Sequence, residues 1–126
     1  MIIGVGVDIV DIKRIATLLK KFGNKFEKKF FTNHEVVFCN KRCNPENSFA
    51  KLFSLKEATI KAVSNASGIT WHDMEVTHDV NGRPIMSLAG NALKNLQKKS
   101  ENFSIHASVS DEKGYATAFV IIETCC

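Results

Sequence analysis

Three residues of this 126-residue chain have side chains suited to chemistry on a phosphate: Asp8, Glu57 and Lys61. Glu57 and Lys61 stand four apart in FSLKEATIKA, residues 53–62, with Lys56 beside them. A Glu–Lys pair at this spacing has two readings. As a solvated helix-surface pair it contributes about 0.2–0.5 kcal/mol. As a site, the carboxylate holds a cation while the lysines face phosphate oxygens. At about 100° per residue, Phe49, Leu52, Phe53, Ile60 and Val63 share one arc of the expected helix, and Lys56 falls inside it. Leu55, Ala58 and Ala62 make the opposite side small and apolar, so the helix is buried most of the way round and its charges need partners. Lys56 either snorkels past the core to water or joins the site. Asp8, near the end of the first expected strand, would add a second hard oxygen ligand. Two carboxylates suit Mg²⁺, which keeps waters and substrate phosphates as its other ligands. Taken alone, Asp8 reads equally as a strand-end turn or cap. No Walker A loop, GxGxxG, nucleophile elbow or HExxH competes with this set.

The elements that must position these residues follow from the pattern. Residues 2–10 are β-branched and apolar, as in a buried strand. Asp11 caps a helix running through about Phe22, with Gly23 as its stop. Residues 24–31 form a short basic amphipathic helix anchored by Phe26, Phe30 and Phe31. Thr32 with Glu35 is a capping box for a further helix. Asn44-Pro45 opens the longest helix, about 45–65, broken at Asn65–Gly68. Strands follow at Met74–His78 and Ile85–Leu88 around Asn81-Gly82, a two-residue hairpin signal. A helix over 90–100, with Ala92, Leu93 and Leu96 on one side, precedes strands Phe103–Ser110 and Tyr115–Ile122. With no repeat or linker, residues 1–126 are one α+β domain: a first strand, several helices including one long buried one, then a mostly antiparallel sheet.

Composition narrows the function classes. No apolar run approaches the roughly 18–20 residues of a membrane span. The first ten residues lack the basic region and cleavage site of a signal peptide. Cys39, Cys43, Cys125 and Cys126 do not make a secreted disulfide framework, and the terminal position of Cys126 leaves no prenylation box. A zinc set of Cys39, Cys43, His34 and His72 lacks a recognised ligand spacing, so free cytosolic thiols and a cytoplasmic location are expected. Net charge is +4, but twelve Lys and Arg face five acids between Asp11 and Lys61. A basic N-terminal half suits an acidic partner, or is a solvated face with none. Arg14 is notable within it, since a cation near a helix start opposes the dipole. Nucleic acid is the weaker partner, because the phenylalanines among the basic residues sit at core spacing rather than on a stacking platform.

Gly4-Val5-Gly6-Val7-Asp8-Ile9, followed by Arg14-Ile15, resembles the opening of bacterial holo-acyl-carrier-protein synthases, the small 4′-phosphopantetheinyl transferases. Residues 53–62 resemble that family's F-[AS]-x-K-E-A-x-x-K-A signature, Asn81-Gly82-Arg83-Pro84 its N-G-[KR]-P hairpin, and the last two strands its C-terminal pair. The resemblance implies transfer of the phosphopantetheine arm of coenzyme A to a serine of apo-acyl carrier protein, releasing adenosine 3′,5′-bisphosphate. By it, Asp8 and Glu57 hold Mg²⁺ and Lys61 contacts the phosphates. Glu57, through a water in the metal's shell, takes the serine proton. Lys56, Ser64, Asn81, Gly82, Arg83 and Pro84 are expected at coenzyme A. Arg14, Lys13, Lys20, Lys21 and Lys25 would dock the acidic carrier, and a homotrimer would place each site between neighbours. A nucleic-acid module and an inactive coenzyme A-binding relative are the alternatives. Two departures stand out. The family's K-A-[FL]-G-T-G is here Lys61-Ala62-Val63-Ser64-Asn65-Ala66-Ser67-Gly68, and its common S-H is here Ser110-Asp111, which makes Asp111 a candidate and carries over no histidine role; His106 reads as an ordinary strand residue.

Overall fold

A ten-residue strand, β1 (Ile2–Asp11), and a nineteen-residue helix, α4 (Pro45–Val63), lie against each other, and this contact organises the molecule. The computed structural model describes residues 1–125; Cys126 lies outside them. Between β1 and α4 come α1 (Ile12–Phe22), α2 (Asn24–Phe30) and α3 (Asn33–Asn40); after α4 come β2 (Met74–His78), β3 (Pro84–Leu88), α5 (Gly90–Gln97), β4 (Phe103–Glu112) and β5 (Tyr115–Thr124). The strands form an antiparallel sheet in the order β1-β5-β4 and a separate antiparallel ribbon, β2-β3, beside β4.

Two glycines explain how closely strand and helix approach. A Cβ on Gly4 would lie 2.0 Å from the Ala62 carbonyl oxygen, and one on Gly6 1.8 Å from that of Ala58. No side chain fits there. Ala116, Ala118, Val120 and Ile122 alternate onto the buried face of β5, which packs against the same helix. The opposite sheet face is apolar and exposed: Val5 is 51%, Val7 57%, Ile9 66% and Phe119 41% accessible.

The caps fall where the sequence places them. Asp11 accepts from the Lys13 N–H, Thr32 and Glu35 form a reciprocal capping box, and Asn44 caps α4. Three helices end early, α2 at Phe30, α4 at Val63 and α5 at Gln97, while the strands run one or two residues beyond their expected ends, β1 to Asp11, β3 from Pro84, β4 to Glu112 and β5 to Thr124. Ser64, in a left-handed conformation (φ 66°), ends α4 two residues before Asn65 would. The hairpin at Asn81-Gly82 is not the two-residue type. Asp79 Oδ1 accepts from the N–H groups of both Asn81 and Arg83, and the Asp79 N–H bonds the Arg83 carbonyl, so Val80–Gly82 close a three-residue loop. The two-residue turn is instead Lys113-Gly114, where both φ values are positive, as a primed turn requires.

Candidate active site

Asp8 and the signature helix meet because β1 runs glycine-first along α4. The Asp8 carbonyl is held by Ser54 Oγ of α4 (3.2 Å) and Thr117 Oγ1 of β5 (2.8 Å), which fixes the strand end. Its carboxylate lies 3.5 Å from Lys61 Nζ, which also donates to the Val7 carbonyl at 2.9 Å. Burial raises the Glu57 carboxyl above its ordinary range, and the Asp8 charge raises it further against the opposing pull of Lys61 and Arg14. Two carboxylates and two cations therefore share one field. The Lys61 side chain is half exposed and the Asp8 side chain mostly sheltered, so the amine is free to swing toward a ligand.

Lys56 is not part of this set. Its side chain is wholly buried, and its ammonium meets Glu35 at 2.5 Å and the carbonyls of Phe30 (2.8 Å) and Trp71 (3.2 Å). All three protons are used, so a coenzyme A contact from Lys56 is corrected to an internal tie. Glu35 is equally buried and also accepts the Thr32 and Val76 N–H groups. Burial draws the Lys56 pKa down while Glu35 holds it up. The neighbouring Cys39 thiol is pushed up to about 12, first by burial and then by Glu35, which leaves it inert. Cys39, Cys43 and Cys125 are free thiols, His72 Nε2 faces the Phe31 carbonyl, and no group of three His, Cys, Asp or Glu gathers among the described residues.

The other expected site residues separate. Gly82 and Pro84 line a cavity of about 300 Å³ with Arg42, Ser48, Lys51 and His78. Arg83 turns away, pairing with Asp79 at 3.4 Å and lining a smaller hollow with His106. Asn81 is exposed at the loop tip, and Ser64 sits in the loop after α4. Asp111 bonds Lys51 (2.9 Å) and Asn47 (3.3 Å) at the edge of the cavity. At about 100° per residue, Ser48 and Glu57 occupy opposite faces of α4, so one chain presents the Gly82–Pro84 cavity and the Asp8–Glu57 pair on different sides. Among the basic residues, Lys25 flanks an apolar groove of Leu18, Phe22, Phe26 and Phe30, while Lys20 lies in another concavity with Glu27 and Glu46. Arg14 stacks over Phe53 at 6.0 Å and is close enough to act on Glu57. Lys13 and Lys21 are exposed.

Sequence reasoning missed Thr117, Arg42 and Lys51. Thr117 stands 109 residues from Asp8, and only the β1–β5 register brings it there. Arg42 and Lys51 lack a motif, and only the packing of α3 against α4 gathers them.

Fold and site together describe an α+β group-transfer enzyme acting on phosphate, built on one strand–helix contact. The family model for the 4′-phosphopantetheinyl transferase superfamily matches residues 4–120. The chain belongs to this superfamily. It is 39% identical over 125 residues to the holo-[acyl-carrier-protein] synthase of Koribacter versatilis, covering 98% of this chain and 99% of that one. To the Sinorhizobium fredii enzyme of the same name it is 41% identical over 128 residues, covering 98% and 92%. The crystal structure of holo-[acyl-carrier-protein] synthase from Neisseria meningitidis superposes with a TM-score of 0.85 at 35% identity, covering 98% and 100%. The Helicobacter pylori enzyme in complex with coenzyme A gives 0.81 at 30%, covering 94% and 99%.

Proposed function

We propose that this chain transfers the 4′-phosphopantetheine arm of coenzyme A to a serine of an apo-acyl carrier protein, releasing adenosine 3′,5′-bisphosphate. The convergence of Asp8, Glu57 and Lys61 at the β1–α4 contact carries the reading, and relatives named for this activity support it. The donor set fits Mg²⁺: two carboxylates crowded enough to raise one carboxyl are relieved by a divalent cation that takes its other ligands from water and phosphate. Bound by Asp8 and Glu57, Mg²⁺ would neutralise charge on the pyrophosphate. Lys61 leaves the Val7 carbonyl to meet a phosphate oxygen. Glu57 takes the serine proton as the serine oxygen bonds to phosphorus and the bisphosphate leaves.

The site is completed by a second copy. Opposite faces of α4 carry the phosphate end and the Gly82–Pro84 cavity, and the apolar outer face of β1 and β5 lies directly behind Asp8. A homotrimer packed on that face sets one chain's Asp8–Glu57 beside the next chain's cavity, where Arg42 and Lys51 meet the nucleotide end of coenzyme A. Arg14, Lys21 and Lys25 receive the acidic carrier, Lys25 from the wall of the Leu18–Phe30 groove and Lys21 from beside Phe22. No helix among the described residues is long and apolar enough to cross a membrane, and the free thiols suit the reducing cytoplasm.

Incubation with apo-acyl carrier protein, coenzyme A and Mg²⁺ tests the whole reading. The carrier gains the mass of one phosphopantetheine, and EDTA abolishes the gain. No gain with Mg²⁺ present overturns it.

A further inference from the structure

The loop after α4, Ser64–Gly68, is exposed throughout and built of small polar residues. Such a segment is ordinarily mobile. Here one stripe of side chains, 91, 95 and 99, pins it from the α5 side. Asn91 Nδ2 donates to the Gly68 carbonyl (2.9 Å), and Asn95 Nδ2 donates to the carbonyls of Asn65 and Ser67 (2.9 Å each). Lys99, just beyond α5, donates to the Val63 carbonyl (2.6 Å) and to Ser64 Oγ. Asn95 is only 6% exposed, and both of its amide protons serve this loop.

The loop's carbonyls are thereby drawn to α5. The N–H groups of Asn65, Ala66 and Gly68 are left without an acceptor among the described residues, while the Ser67 N–H folds back on Asn65 Oδ1. Ser64 holds a left-handed backbone without being glycine, a conformation that persists only where its surroundings enforce it. A loop fixed through its acceptors, with donors outward, three residues after Lys61, is organised to meet an anionic or carbonyl-bearing ligand.

We infer that Asn91, Asn95 and Lys99 are positioning residues for coenzyme A, acting by holding Ser64–Gly68 in the shape that receives it. The inference rests on the transferase reading above. It assigns α5 a role in substrate affinity rather than in the chemical step.

The test uses the full-length protein with Mg²⁺ and compares the parent with Asn91→Ala, Lys99→Met, the double variant and Lys99→Arg. Asn91 and Lys99 are exposed, so the fold survives their loss. Each single variant weakens coenzyme A by about threefold to tenfold, the range expected for one hydrogen bond, both in KM and in direct calorimetric binding without carrier. The KM for the carrier stays at the parent value, kcat changes little, and Lys99→Arg restores affinity. A double variant that binds coenzyme A within about twofold of the parent, whether or not its Tm falls, overturns the inference and leaves the stripe purely structural. A parent chain that binds no coenzyme A overturns the reading beneath, and the inference with it.

Discussion

At the scale of single residues, Glu57 and Lys56 are adjacent in sequence and opposite in role. Glu57 has a carboxyl raised by burial and by Asp8. Its folded pKa exceeds its unfolded one, so the stability it contributes falls as pH rises through the interval between them. Glu57→Gln therefore leaves the metal-free protein unchanged in Tm at low pH and raises Tm above that interval. Turnover falls by about 10²–10⁴-fold, the usual worth of a proton acceptor. Thermal scans across pH check the first and steady-state assays the second; with Mg²⁺ added, the scans show stabilisation of the parent but of neither Glu57→Gln nor Asp8→Asn. Lys56→Met strands a buried Glu35 and costs about 3–5 kcal/mol, read by urea titration. The FSLKEATIKA stretch named all three charges, yet periodicity could not rank them. Burial of Lys56 depends on Glu35, twenty-one residues away, and on two backbone carbonyls that no side-chain pattern reports.

Elements were legible wherever a local signal sufficed. Asp11, Thr32 with Glu35, and Asn44-Pro45 each start a helix by bonding their own neighbours, and each is found doing so. Asn81-Gly82 misled because Asp79, two residues upstream, captures both flanking N–H groups. The closeness of β1 to α4 was invisible in the strand itself. Gly4 and Gly6 pass in the sequence as two glycines of a buried strand, and their purpose appears only against the Ala58 and Ala62 carbonyls. Gly6→Ala forces strand and helix apart and destabilises the protein by about 3 kcal/mol or more. Because Asp8 lies two residues further along, Mg²⁺ affinity falls in the same variant. Calorimetric Mg²⁺ titration at a temperature where the variant remains folded separates that loss from unfolding.

For the whole molecule, charge and exposed surface set two further expectations. With the acidic carrier docking on the basic residues of α1 and α2 as proposed, Arg14→Ala raises the KM for the carrier and flattens its dependence on salt, with kcat little changed. Assays at several ionic strengths read this, and an unaltered salt slope contradicts it. Val7→Asp or Phe119→Asp places charge on the apolar sheet face. Sedimentation should then report single copies, and turnover should vanish although Asp8, Glu57 and Lys61 are intact. That face is not legible in the residue pattern. Val5, Val7 and Ile9 looked like core, and only the sheet's register turns them outward while Gly4 and Gly6 face α4.

The enclosure of Lys56 also makes it a timekeeper. A reagent that acylates amines will modify the exposed lysines of α1 and α2 within the folded protein. Lys56, whose ammonium has no solvent path and is bound on three sides, reacts only when α4 parts from the end of α2, from α3 and from the Trp71 turn. When reclosing is faster than acylation, the rate at which that one peptide acquires label in a mass spectrum reports the equilibrium population of the opened molecule. It can be followed in a cell extract, without a denaturant and without purifying the chain.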